Sequence, residues 1–163
     1  YAVEMYAPHV RIFAGSAPDG VERATAMEWA VAGIRECLNY AEARGVMLGL
    51  ENHGGVTAPV SAHLEICDRV GDHPWFGINL DTGNYHSDDV YGDLARAAPR
   101  AVNVQYKVEI EEGGTRKPSD PERIRDLLIE ANYRGWLALE YEAEEDPREA
   151  VPEQVRTLKR AFG

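Results

Sequence analysis

Hydrophobic and polar positions along the chain fall into two alternating periods. Short runs in which large apolar residues recur at every second position are separated by stretches in which they recur every third or fourth. The period-two runs are "VRIFAG" from Val10, "VMLGLE" from Val46, "FGINLD" from Phe76, "AVNVQYKVEI" from Ala101 and "WLALEYE" from Trp136. Between them, Met27, Ala30, Ile34, Leu38 and Ala41 share one helical face ahead of a Gly45 stop. A helix over roughly Pro59 to Val70 is expected to bury Leu64, Cys67 and Val70, and a shorter one lies near Asp88 to Ala97. Asp120 and Asp146, each followed by a proline suited to the first helical position, open two more. The first turns Ile124, Leu127, Leu128 and Ala131 inward, and the second Val151, Val155, Leu158 and Phe162. The stretch "IEEGGTRKPSD" reads as a flexible loop with hinge points at Gly113 and Gly114.

Five strand-then-helix units without a hairpin signal predict a parallel sheet with right-handed crossovers, in one domain over residues 1–163. Residues two apart on a strand share a face. With Glu51 facing inward, Gly49 and Met47 join it, while Leu48 and Leu50 face the helices. Asp81 shares its face with Asn79 and Gly77. Gln105, Lys107 and Glu109 line up with Asn103, and Glu140 and Glu142 with Ala138. Four of these positions, Glu51, Asp81, Gln105 and Glu140, are 30, 24 and 35 residues apart. A (β/α)8 TIM-type barrel spends about 31 residues per unit and keeps its active site at the C-terminal strand ends. The spacing therefore fits a partial barrel of about five β/α units. Five units do not close an eight-stranded barrel, so the chain is expected to be a fragment or to complete itself by association. The first strand, as an unpaired edge, would then leave apolar surface uncovered and favour a homo-oligomer.

Several carboxylates on one buried face are costly unless a cation or a base offsets them. Two or three carboxylates with amide or imidazole donors suit a divalent ion such as Mn²⁺, Mg²⁺ or Co²⁺. No thiolate joins the set, which disfavours a structural zinc site.

Composition narrows the partners. A formal charge of -11 argues against binding a nucleic acid backbone, and no apolar run approaches a membrane span. Cys37 and Cys67 fall inside helical patterns, where buried free thiols are expected, and a cytoplasmic setting follows by default. His9, His63 and His73 have no matching context and are read as surface or structural residues, and "EAEED" as a solvated acidic loop.

The order "LGLENHGG", "GINLDTGNYH", "NVQYKVEI", "GWLALEYE" resembles the second half of the xylose isomerase-like barrels, a family of sugar phosphate isomerases and epimerases that shares its fold with endonuclease IV. The resemblance covers nearly the whole chain and corresponds to family strands four to eight. It implies metal ligands at Glu51, Asp81, Gln105 and Glu140. Many members carry histidine where Gln105 stands, and dehydroshikimate dehydratase-like members use a glutamine there, which moves the expected metal further from zinc. The resemblance also implies substrate contacts at His53, His86 and Lys107, and Arg11 sits where an anionic or hydroxylated substrate could be held. The implied activity is isomerisation or epimerisation of a sugar or keto-sugar by proton abstraction next to a carbonyl. Glu51 and Glu140 would serve as acid/base groups on opposite faces of the substrate. A dehydratase or lyase of the dehydroshikimate or inosose type is the alternative, and a non-catalytic incomplete barrel is another. A DNA repair endonuclease fits poorly with five histidines and a charge of -11.

Overall fold

The computed structural model describes residues 1–163 and builds five parallel strands into one curved sheet. The elements run β1 (His9–Ile12), α1 (Arg23–Ala43), β2 (Met47–Glu51), α2 (Val60–Val70), β3 (Phe76–Asp81), α3 (Val90–Ala97), β4 (Ala101–Lys107), β5 (Glu109–Glu112), β6 (Thr115–Pro118), α4 (Pro121–Glu130), β7 (Leu137–Glu140) and α5 (Pro147–Phe162). The main sheet is ordered β1-β2-β3-β4-β7, all neighbours parallel. This is the α/β half-barrel that the alternating periods predict.

Helix starts are set by the residues the sequence marks. Asp120 Oδ1 accepts from the amides of Glu122 (3.0 Å) and Arg123 (3.1 Å), and Asp146 Oδ1 accepts from Arg148 (2.9 Å). Each bond satisfies an amide that the first helical turn would leave without a partner. Leu48, Leu50, Ile78, Leu80, Val104 and Tyr106 project from the outer face of the sheet and meet the helices, all buried. Burying one such aliphatic side chain stabilises the fold by roughly 1.5–3 kcal/mol. The core thus lies wholly on the helix side, and the inner face is left to other residues.

Four expectations are corrected. The stretch after Lys107 is not a loop: β5 and β6 form an antiparallel hairpin with Glu112 opposite Thr115. Gly113 (φ 58°) and Gly114 (φ 71°) are its turn, because a two-residue hairpin turn of this hand needs positive φ at both centres. Glu109 therefore leaves the inner face, joins the hairpin and pairs with Arg116 at 3.2 Å. In α2 the buried face is carried by His63, Ile66 and Cys67, while Leu64 is only partly covered. Cys37 is exposed, whereas Cys67 is buried.

Both sheet edges carry apolar grooves. Beside β1, Val10 and Ile12 line a groove of about 620 Å³ with Trp29 and Tyr40 of α1. Beside β7, Leu137 and Leu139 line a smaller one with Val155, Leu158 and Phe162. No helix is long and apolar enough to cross a membrane.

Candidate functional site

Strand parity and register bring the inner-face polar residues together at the C-terminal ends. Glu51 pairs with Asn79 in register, Asp81 with Gln105, and Lys107 with Glu140. Glycine makes the approach possible on β2, since a β-carbon on Gly49 would collide with His9 Nε2 and crowd Asn79. Glu51, Asn79 and Asp81 are almost completely enclosed, and Glu140 has 30% of its side chain exposed.

A continuous network joins them. Asn103 Nδ2 donates to Asn79 Oδ1 at 2.7 Å. Asn79 Nδ2 donates to Glu51 Oε2 at 2.8 Å and also to Gln105 Oε1. Gln105 Nε2 donates in turn to Glu140 Oε2 at 2.6 Å. Arg11 Nη1 lies 3.2 Å from Glu51 and 3.9 Å from Glu140. Lys107 Nζ stands 3.7 Å from both Asp81 and Glu140 and bonds to Glu142. Asn84 closes the rim, donating to Glu51 Oε1 at 3.4 Å.

Asp81 is the exception to this accounting. Its Oδ1 accepts from the Gly83 amide at 2.8 Å, and its backbone exchanges two 2.9 Å bonds with the Asn52 side chain. Its Oδ2 is buried with no donor. Lys107 is too distant for a hydrogen bond. Burial pushes the Asp81 carboxyl up to about 8, against the pull of the Gly83 amide and Lys107. Protonated, Asp81 would itself donate to Glu140, which is the hydrogen bond that raises one carboxyl and lowers the other. An ionised Asp81 has only acceptors to offer, so Oδ2 can be satisfied by a proton or by a cation. Burial also raises Glu51, outweighing Arg11 and His53. For Glu140 burial works upward too, but Lys107, the Asp81 and Gln105 hydrogen bonds and Arg11 hold it below the usual range.

Of the four residues expected as metal ligands, Glu51, Gln105 and Glu140 stand in one hydrogen-bonded network, and Asp81 lies beside it, 3.7 Å from Lys107. As they stand, no three His, Cys, Asp or Glu side chains are spaced to enclose an ion, and Arg11 and Lys107 take up the carboxylates. The donor set still fits a hard divalent cation: two enclosed carboxylates, a half-open one, and an amide oxygen. The donorless Asp81 Oδ2 is the feature that favours this fit. Arg11 and Lys107 lie inside the network; His53 and His86 do not. These two line a neighbouring cleft of about 490 Å³ with Asn84. His63 is buried and structural, its ring bonded to the Tyr85 hydroxyl (2.7 Å) and the Leu50 carbonyl (3.2 Å).

Asn79, Asn103 and Asn84 carry the network, yet sequence reasoning gave them no role. Asn79 and Asn103 share parity with Asp81 and Gln105, which was the available signal. For Asn84, placed beyond the strand, no periodicity exists to read.

A model of the xylose isomerase-like TIM barrel family matches residues 1–161. The chain belongs to that family. Several solved structures share this half-barrel fold. The 3-keto-D-glucoside 4-epimerase from E. coli is 14% identical with a TM-score of 0.76, covering 98% of this chain and 66% of its own. A xylose isomerase domain protein from Planctomyces limnophilus is 18% identical with a TM-score of 0.70, covering 99% and 61%. The probable 3-DHS dehydratase involved in petrobactin synthesis from Bacillus anthracis is 17% identical with a TM-score of 0.62, covering 95% and 63%. The chain thus spans between three-fifths and two-thirds of these relatives' lengths. No curated protein sequence matches it.

Proposed function

We propose that the chain carries the catalytic strand ends of a divalent-metal-dependent isomerase or epimerase of a sugar or keto-sugar. The observation that carries this reading is the enclosed Glu51–Asn79–Gln105–Glu140 network with Asp81 Oδ2 left without a donor beside it. Glu51, Asp81, Gln105 and Glu140 would hold the ion. When bound, it would supply Lewis-acid polarisation of the substrate carbonyl.

Glu140, the most accessible of the three carboxylates, would take the proton next to that carbonyl. Glu51 is positioned to return a proton, braced by Asn79, Asn84 and Arg11. Arg11 lies within 4 Å of both acids, where it can steady a substrate oxygen as charge develops. Lys107 keeps Glu140 and Asp81 in place from the other side. Loss of water after the same proton abstraction is the second reading, favoured by Gln105 at the third ligand position and by the similarity to the probable dehydratase.

The test is solvent exchange. Wild type with Mn²⁺ in deuterium oxide should exchange the proton next to the carbonyl in one member of a keto-sugar panel. Glu140→Gln should lower turnover at least about a hundredfold and abolish exchange, since acid–base catalysis contributes roughly 10²–10⁴-fold. Gln105→His should retain part of the activity. Exchange at the wild-type rate in Glu140→Gln would make another group the base. A product lighter by one water would establish the dehydratase reading instead.

A further inference from the structure

The cleft beside the carboxylate network is lined by none of Glu51, Asp81 and Glu140. Its volume of about 490 Å³ lies in the roughly 300–1,000 Å³ range of small-molecule sites. It opens between the loop after β2, which supplies His53, and the loop after β3, which supplies Asn84, His86 and Ser87. Asn84 belongs to both places, lining the cleft while donating to Glu51 Oε1. A ligand whose reacting end meets Glu51 therefore continues into the cleft over Asn84.

The lining decides what can continue there. Two imidazoles, an amide, a hydroxyl and the Asp93 carboxylate offer both donors and acceptors at short range, which matches the hydroxyls of a sugar. His53 is held for this purpose by Phe13, ring centroids 4.5 Å apart, and Phe13 is covered in turn by Arg11 at 4.9 Å. No lysine or arginine lines the cleft. Helix α2 begins in its wall, and a helix start can favour an anion. Asp93 opposes this with a carboxylate of its own, which already engages the Arg96 guanidinium at 3.4 Å, and no guanidinium or ammonium stands in the lining itself for a phosphate to pair with.

We infer that the cleft is a subsite for a second, neutral sugar ring, so that the substrate is a glycoside and not a sugar phosphate. This rests on the sugar-enzyme reading above. The test uses isotope-labelled protein and NMR, with glucose, maltose, cellobiose, sucrose, glucose 6-phosphate and inorganic phosphate as probes. At least one disaccharide should shift the His53 and His86 ring signals and the Ser87 amide, where glucose at equal concentration moves only Asn79 and Gln105. Ala58→Trp, which narrows the cleft from an exposed position outside the network, should weaken that disaccharide at least tenfold and leave glucose unchanged. Larger histidine shifts with inorganic phosphate or glucose 6-phosphate would overturn the inference in favour of an anion subsite. Disaccharides that perturb only Asn79 and Gln105 would also overturn it, with the sugar reading intact. Silence from every sugar at both places would remove both.

Discussion

His63 and Asp81 are buried to the same degree on opposite sides of one sheet, and they are treated differently. On the helix side, the Leu50 carbonyl can only accept, so His63 Nε2 donates to it and Nδ1 accepts from the Tyr85 hydroxyl. Neutral histidine is fully satisfied there. On the inner side, Asp81 keeps one enclosed oxygen without a donor, next to two further carboxylates. Stability accounts for the first arrangement and works against the second. A fold that needed only stability would have filled the inner face as it filled the outer one.

Adjacent residues give the sharpest way to break this contrast. Leu80 and Asp81 are neighbours with opposite directions. Leu80→Ala should cost about 2–5 kcal/mol in urea unfolding. Asp81→Asn should leave stability near pH 7 within about 1 kcal/mol of wild type, because a carboxyl raised to about 8 is already mostly uncharged there and the amide fills the same space. Equal losses in the two variants would make the inner face structural.

The next effect is set by pH. Burial lowers His63 to about 4 from 6.5, against the Leu50 hydrogen bond. A depressed folded-state value means stability is fully present above pH 6.5 and is lost as pH falls through 4. The drop should total about 3 kcal/mol across that window. Asp81, raised to about 8, adds stability as pH falls over the same range, so the His63 contribution is read as the gap between wild type and His63→Gln, which should shrink by that amount from pH 6.5 to 4. A gap that stays constant over this range would show that His63 titrates freely.

The smallest effect concerns the hairpin. Gly114→Ala places a β-carbon on a residue at φ 71° and should cost about 1–2 kcal/mol, read from amide exchange in β5 and β6. Unchanged exchange would mean that the turn does not hold the pair.

That hairpin also marks where the sequence stops being legible. Period-two runs end at sharp signals in β2, β3 and β7, so their C-terminal carboxylates could be placed by parity alone. The hairpin strands "EIEE" and "TRKP" are short and mostly polar, and pairing rather than burial holds them. Their one clue was the Gly-Gly pair, which fits a two-residue turn as well as a hinge. The asparagines are harder still. An amide bridging two strands has no period of its own, and Asn79 acquires its meaning only when Glu51 and Gln105 stand on either side of it. His63 shows the opposite failure: a lone polar residue in a helix pattern gives no sign of being enclosed.

If the inner-face carboxylates form a cation site, calorimetric titration with Mn²⁺ detects it without reference to any substrate. Wild type should bind one equivalent with heat that scales with protein concentration. Asp81→Ala should weaken that binding at least about tenfold, since it deletes the oxygen that has no donor of its own. Binding of equal strength in wild type and Asp81→Ala, or no binding in wild type, would contradict the claim.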